Sequence, residues 1–374
     1  MRENEAMAVL VSAAGVSYGR RELALREAGS ALTLLEDPAA FSRILGAQGI
    51  SAVRRALDNA PRMLDALEKG GVHLITQDMA QYPQRLMHTA RPPHLLFCRG
   101  YADLNDPCPL AVVGTRRADA YGIRNTREIS RDLAAQGVCI VSGLALGVDA
   151  AAHQGALEAS GRTVAVLGRA LDKMYPAGNR WLMDEIVEKG GSVVSEYAPG
   201  TAPTRYSFLQ RNRIIAGMTL GVLVTRAPLR SGAKSTANCA LEEGREVFAL
   251  PGDIGREGSQ LPNRLIAEGA QLITCAQDIL DHVVEENIET PKVQKRRHAS
   301  AAGDRVKSEK PEQAAPPMQG AEKAVYDALE SGELDFDALC ERTGVASDEL
   351  GAVLMMMELD GVIESLPGLR YARL

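Results

Sequence analysis

Two segments place glycine, hydroxyl and basic residues immediately after apolar runs: LAVVGTRR at 110–117 and VCIVSGLALGVDAAAH at 138–153. A strand that ends in glycine and runs into a helix gathers unpaired backbone N–H groups, and glycine lets an anion approach them closely. The first segment ends in Gly114 and Thr115 and adds Arg116 and Arg117, whose guanidinium forks suit phosphate oxygens. The second supplies Ser142, Gly143, Gly147 and Asp149, the last placed to cap the helix that follows. FLQRNRIIAG (208–217) sets Arg211, Asn212 and Arg213 at a third helix opening. APLRSGAKSTANCALEEG (227–244) brings Arg230, Ser231, Gly232, Lys234, Ser235 and Thr236 before a fourth. Four such loops with six basic side chains exceed what one mononucleotide needs. They point to a groove that follows a phosphate polymer.

Other chemistries lack their residues. GxxxxGK[ST] and GxGxxG are both absent, and no acid-ended second strand offers a ribose contact, which counts against nucleoside triphosphates and NAD. Asp149 and His153 share one helix without a serine or cysteine nucleophile in an elbow, so no catalytic set emerges. A lone helical histidine reads as a structural residue. Glu196 is the one carboxylate placed for acid–base work, and a role orienting an arginine or lysine fits it better. The six cysteines show no CxxC pair and no histidine at ligand spacing, so they read as reduced packing thiols rather than metal ligands. The sequence therefore predicts a binding protein with no cofactor and no metal.

The positioning elements follow from the apolar pattern. Strand-like runs at 110–114, 138–143, 163–168, 191–197, 220–227 and 246–252 alternate with helical stretches. That alternation predicts an α/β fold with a doubly wound parallel sheet, whose ligands sit beyond the carboxyl ends of the strands. Only 4% of the 374 residues are aromatic, while 35 are glycine, which suits Val/Ala/Leu packing. Net charge is −6, so no whole-protein basic field announces nucleic acid.

Three domains and a linker are expected. Residues 1–68 read as short helices, with Pro38 and Pro61 at helix starts. Two readings stand for them: a bundle that grips DNA backbone through Arg20, Arg21, Arg54 and Arg55, or a plain packing module. Residues 69–284 hold the sheet, with VHLIT and a strand after Pro92–Pro93 as its first edge. Residues 285–318 are polar and poor in aliphatics, the composition of a flexible linker, and their KRRH cluster (295–298) reads as a solvated charge run. Residues 319–374 read as three helices and a hairpin around Pro367–Gly368, a winged helix. Its basic residues are Lys323, Arg342, Arg370 and Arg373, against about three times as many acidic ones, so phosphate should repel it. It is read as a protein-contact or structural wing. Glu3 and Glu5 and the lack of a long apolar stretch point to no signal peptide and no membrane span, hence a cytoplasmic protein.

In order, YPQRL…PPHLLFCRG, VVGTRR…YG, VSGLALGVDAAAHQGAL, TVAVLGRALDKMYPAGN, SEYAPGT, RNRIIAG, RSGAKSTANCALEEGREVFALPG and NRLIAEGAQLI resemble the DNA processing protein A family (DprA, also called Smf). The resemblance implies an N-terminal SAM or helix–hairpin–helix-like module, an extended Rossmann domain and a C-terminal winged helix. It implies a non-nuclease that binds single-stranded DNA, protects incoming transforming DNA and loads the RecA recombinase. Its phosphate-binding positions carry over to Gly114, Thr115, Arg116, Ser142, Gly143, Gly147, Asp149, Arg211, Asn212 and Arg213. Lys173 and the loop residues Ser231, Gly232, Lys234, Ser235 and Thr236 complete the candidate set. The implied homodimer would use Leu261–Ile273, with Leu261, Leu265, Ile266 and Leu272. Leu146 stands where the family often has a basic residue, Leu209 and Gln210 replace a lead richer in proline and arginine, and RSGAKST for RSGSLIT adds Lys234. The alternative is a nucleoside monophosphate phosphoribohydrolase of the lysine-decarboxylase-like Rossmann type, whose PGGxGTxxE motif is missing here. A DNA-binding regulator acting through the winged helix is disfavoured by that module's charge.

Overall fold

Apolar runs too continuous to alternate between core and solvent must be buried on both faces. The computed structural model, which describes residues 1–101, 103–172, 177–201, 204–287, 320–345, 347–360, 362–366 and 370–373, arranges them in that way. Strands β1 (Val72–Thr76), β2 (Leu95–Gly100), β3 (Pro109–Val113), β4 (Cys139–Ser142), β5 (Thr163–Leu167), β6 (Ser192–Ser195), β7 (Gly221–Val224), β8 (Glu246–Ala249) and β9 (Gln271–Leu272) form one sheet. Their order is β1-β2-β6-β5-β4-β3-β7-β8-β9. β3 to β9 are parallel, and β1 and β2 add an antiparallel edge through β6. The chain moves outward from β3 to β6, then returns to β3's other flank with β7. That reversal leaves a crevice at the carboxyl ends of β3, β4 and β7.

Helices α1 (Glu3–Ser12), α2 (Tyr18–Ala28), α3 (Ala31–Glu36) and α4 (Ser42–Lys69) precede the sheet, and α5 (Gln84–Met87) lies between its first two strands. Pro61 does not start a helix. α4 runs through it and is broken instead at Gly46, whose φ of +67° a residue with a side chain rarely adopts. The apolar faces of α1 to α4 close on one another and on Leu95 and Phe97 of β2, so the N-terminal module shares its core with the sheet edge.

Across the sheet, α6 (Ala120–Ala135) and α7 (Val148–Glu158) pack closely. A Cβ on Gly155 would lie 2.2 Å from the Arg127 carbonyl oxygen, so α7 needs glycine at that contact. α8 (Arg180–Glu188), α9 (Arg205–Gln210), α10 (Asn212–Met218), α11 (Gly232–Glu242), α12 (Gln260–Ala267) and α13 (Ala276–Asn287) complete the layers.

The winged helix comprises α14 (Ala321–Ala328), β10 (Leu334–Asp335), α15 (Phe336–Thr343), α16 (Ser347–Leu359), β11 (Ile363–Leu366) and β12 (Arg370–Arg373). Its strands order β10-β12-β11 around a separate small core that includes Val325, Leu339, Val353 and Ile363. The anticipated three helices and hairpin are present, and β10 adds a third strand. The KRRH cluster and Pro367–Gly368 lie outside the described residues. Among the described residues, no helix is long and apolar enough to cross a membrane.

Candidate nucleic-acid interface

The loops after β3 and β4 are built as one unit. Gly114 has no room for a side chain: a Cβ there would lie 2.6 Å from both the Arg226 carbonyl oxygen and Cγ2 of Val148. Thr115 N–H donates to that same carbonyl at 2.6 Å, and Thr115 Oγ1 accepts from Arg117 N–H at 3.2 Å. This tight turn leaves Arg116 and Arg117 exposed, with the Arg116 guanidinium 5.6 Å above the Phe208 ring. Gly147 has φ +81°, and a Cβ on it would sit 2.4 Å from the Thr115 carbonyl oxygen. Val148 N–H donates to that oxygen at 3.2 Å, fastening the second loop to the first. Between them Leu144 is buried with φ +55°, a conformation held by Asn179, whose Nδ2 donates to the Leu144 carbonyl at 2.9 Å.

Several candidate residues lie behind the surface rather than on it. Ser142 is fully buried, and its hydroxyl donates to the Val112 carbonyl at 2.6 Å, tying β4 to β3. Asp149 does not occupy the cap position, which is Gly147. It sits in the first turn of α7 and accepts from Ala145 N–H at 3.3 Å. Burial pushes its carboxyl above the usual carboxylate range, with the Arg211 guanidinium opposing that shift.

Arg211 is 6% exposed, and its guanidinium donates to the carbonyls of Gly143 at 2.9 Å and of Val166. A Cβ on Gly143 would meet that guanidinium at 2.3 Å. Burial lowers the Arg211 pKa, and Asp149 acts against the loss. Arg211 is therefore a strut joining α10 to the ends of β4 and β5, not an open phosphate clamp. Asn212 also turns inward, donating from Nδ2 to the Gly232 carbonyl at 3.1 Å and to Ser235 Oγ at 3.3 Å. Arg213 leaves this cleft altogether: it pairs with Glu196, donates to the Arg91 carbonyl at 2.6 Å, and lines a different cavity. Glu196 thus orients an arginine, as its position suggested.

The fourth loop is more open. Ser231 caps α11 by accepting from Ala233 N–H at 3.2 Å, and Gly232 has empty space where a Cβ would go. Arg230 is exposed, Lys234 half-buried, and Ser235 and Thr236 buried. Lys173 lies outside the described residues.

The four loops converge on one cleft of about 330 Å³, lined by Gly114, Thr115, Arg116, Arg117, Asp149, Arg211, Asn212, Arg230, Ser231, Gly232 and Thr236. Among the described residues, the exposed cations that line it are Arg116, Arg117 and Arg230, and half-buried Lys234 follows directly on the lining residue Ala233. Arg226, at the end of β7, was not anticipated. It is 4% exposed, pairs with Asp119, bonds to Ser259 and lies 5.0 Å from the centre of the Tyr121 ring. The Arg226 hydrogen bond holds the Asp119 carboxyl below its ordinary value. The only sequence sign was an arginine near the end of the apolar run 220–227.

No acid–base group faces the cleft from His153. That ring is buried, shares a 2.7 Å hydrogen bond with Thr163, and burial lowers its pKa to about 3. All six cysteines are free, and the described residues hold no cluster suited to a metal ion. The expected dimer residues divide. Leu261 and Leu265 fill the chain's own core, Ile266 packs partly against it, and Leu272 is exposed on the edge strand β9.

Comparison with known proteins gives the geometry a family. The DNA recombination-mediator protein A family matches residues 73–284, and the DprA winged helix domain matches residues 309–368. The chain is 40% identical over 308 residues to Protein Smf of Escherichia coli (strain K12), covering 82% of this chain and 79% of that one. It is 45% identical over 199 residues to DNA processing protein DprA of Streptococcus pneumoniae, covering 53% and 70% respectively. The X-ray structure of the pneumococcal DNA processing protein A aligns with TM-score 0.63 at 35% identity, over 74% of this chain and 97% of that one. A structure of DNA processing protein A from Helicobacter pylori, described for its single-stranded DNA binding mode, aligns with TM-score 0.52 at 32% identity, over 57% and 97%. The phosphoribohydrolase alternative is not favoured by these matches.

Proposed function

We propose that this chain, which belongs to the DNA recombination-mediator protein A (DprA/Smf) family, binds single-stranded DNA along the cleft at the carboxyl ends of β3, β4 and β7. The observation that carries the reading is the convergence of four loops on one crevice lined by the exposed cations Arg116, Arg117 and Arg230, with Lys234 next to the lining residue Ala233. Cations contributed by separate loops of one crevice suit consecutive phosphates of a strand. Contact is assigned to these four side chains. Ser142, Gly143, Gly147, Asp149, Arg211, Asn212, Ser235 and Thr236 are positioning residues that hold the loops in register. Phe208, beneath Arg116, offers a ring on which a base can stack.

The held strand would be protected and passed to a strand-exchange recombinase of the RecA class. The family's character as a recombination mediator supports that step. Homodimerisation is assigned to the edge strand β9 with Leu272, since an open sheet edge invites pairing with another.

Anisotropy titrations of labelled oligo-dT against duplex DNA of equal length test the reading. Oligo-dT should bind in preference, and Arg116→Ala should weaken binding about equally for all sequences. Hydrolysis of AMP without oligo-dT binding would overturn it.

A further inference from the structure

The winged helix meets the cleft with its acidic end. Lys234 Nζ lies 3.5 Å from a carboxylate oxygen of Glu358, and Arg230 Nη1 donates to the Asp360 backbone carbonyl at 3.4 Å. Glu358 is in the last turn of α16 and Asp360 directly follows the helix, where the dipole is negative and the last turn carries no basic residue. α16 also packs against α9, the helix that leads into Arg211. Over 319–374 the module holds twelve acidic and four basic residues. Three of the four basic side chains are engaged inside the module: Arg373 with the Tyr326 carbonyl, Arg370 with Glu333 and Arg342 with the Ala328 carbonyl. The face turned to the cleft is therefore anionic.

We propose that the acidic winged helix is an intramolecular occupant of the cleft rim, holding the Arg230 and Lys234 side that a DNA strand must take over. The inference rests on the single-stranded DNA reading and adds a competitor to it. The side chains of Lys234 and Glu358 are 39% and 25% exposed. A half-exposed pair of this kind shifts an equilibrium by about two- to fivefold. That is weak enough for a polyanion to displace and large enough to measure. The winged helix then acts as a specificity filter: a ligand that reaches only Arg116 and Arg117 leaves it in place, and one long enough to span both rims dislodges it.

Zero-length carbodiimide coupling of the full chain tests the contact, because it joins lysine to carboxylate only in direct apposition. A Lys234–Glu358 peptide should form without DNA, and its yield should fall in step with oligo-dT occupancy read by anisotropy. Glu358→Gln should bind oligo-dT about two- to fivefold tighter. Glu349→Gln removes the same charge nine residues away, about 13 Å along α16, and should match the unmodified chain. Absence of the peptide without DNA, its persistence at saturating oligo-dT, or equal affinities for the two variants would each overturn the proposal. If oligo-dT binds none of the three chains, the failure is of the DNA reading itself, and the competitor falls with it.

Discussion

Gly147→Ala tests whether the two cradle loops work as one. Gly147 has φ +81° and ψ −124°, a combination close to glycine-only backbone space that costs a side-chain-bearing residue about 1–3 kcal/mol. The new Cβ would also lie 2.4 Å from the Thr115 carbonyl oxygen and 2.8 Å from the Arg116 carbonyl carbon and oxygen. These are backbone atoms, so the clash cannot be relieved by turning a side chain, and overpacking of this kind costs about 1–3 kcal/mol. Partial movement of the loop relieves some of both, leaving about 2–4 kcal/mol of lost stability. The movement shifts Arg116, and losing one charge-assisted phosphate contact lowers oligo-dT affinity by about tenfold. Urea midpoints and anisotropy measure the two effects. Gly232→Ala is the internal control, because its Cβ meets nothing within 4 Å. It should be neutral or stabilising by up to about 1 kcal/mol. Equal midpoints and equal affinities for the two alanine variants would refute the claim that Gly147 fastens the loops.

Other consequences follow from the same geometry. His153 has its pKa lowered to about 3 from an ordinary value of 6.5. The unfolded chain therefore takes up a proton below 6.5 that the folded chain refuses, and stability falls as pH drops toward 3. The loss between pH 6.5 and 5 is about 1.6 kcal/mol, and His153→Gln should flatten that limb of a urea-midpoint profile. An unchanged profile would remove His153 from the acid response. Asp119→Ala removes both the cap of α6 and the partner of buried Arg226; it should cost about 2 kcal/mol by denaturant unfolding, about half of it the cap. Asp119→Asn keeps the cap and should cost less, and equal losses would deny the ion pair a part. Leu272→Glu at the β9 edge should convert a dimer to a monomer in sedimentation equilibrium, and an undiminished mass would place the interface elsewhere.

Much of this arrangement is readable in the residues, and the failures have physical reasons. The runs that became β3 to β8 are continuous and apolar because a parallel sheet is covered on both faces, so their positions are legible to within a few residues. The four loops are legible because glycine, hydroxyl and basic residues cluster where strands end. What the pattern hides is direction. Residues 211 and 213 are about 200° apart around a helix, so RNR could not present both arginines to one ligand. The structure sends one beneath the cleft and the other to Glu196. Leu261 and Leu265 stand at i and i+4, the spacing of a core-facing stripe, and the core takes them. Arg226 was hidden because its role depends on Asp119, 107 residues earlier. The contact between Lys234 and Glu358 joins two modules, and composition could report only that one of them is acidic.

The central claim is that several rim cations share one strand of phosphates, and the salt dependence of oligo-dT affinity measures it most directly. Each phosphate contact on a single strand contributes a slope of about −0.7 to log Kobs against log salt. Arg116, Arg117, Arg230 and Lys234 together predict about −2.8, falling by about 0.7 in Arg116→Ala and again in Arg230→Ala. A slope near zero, or one that neither substitution changes, would contradict the account.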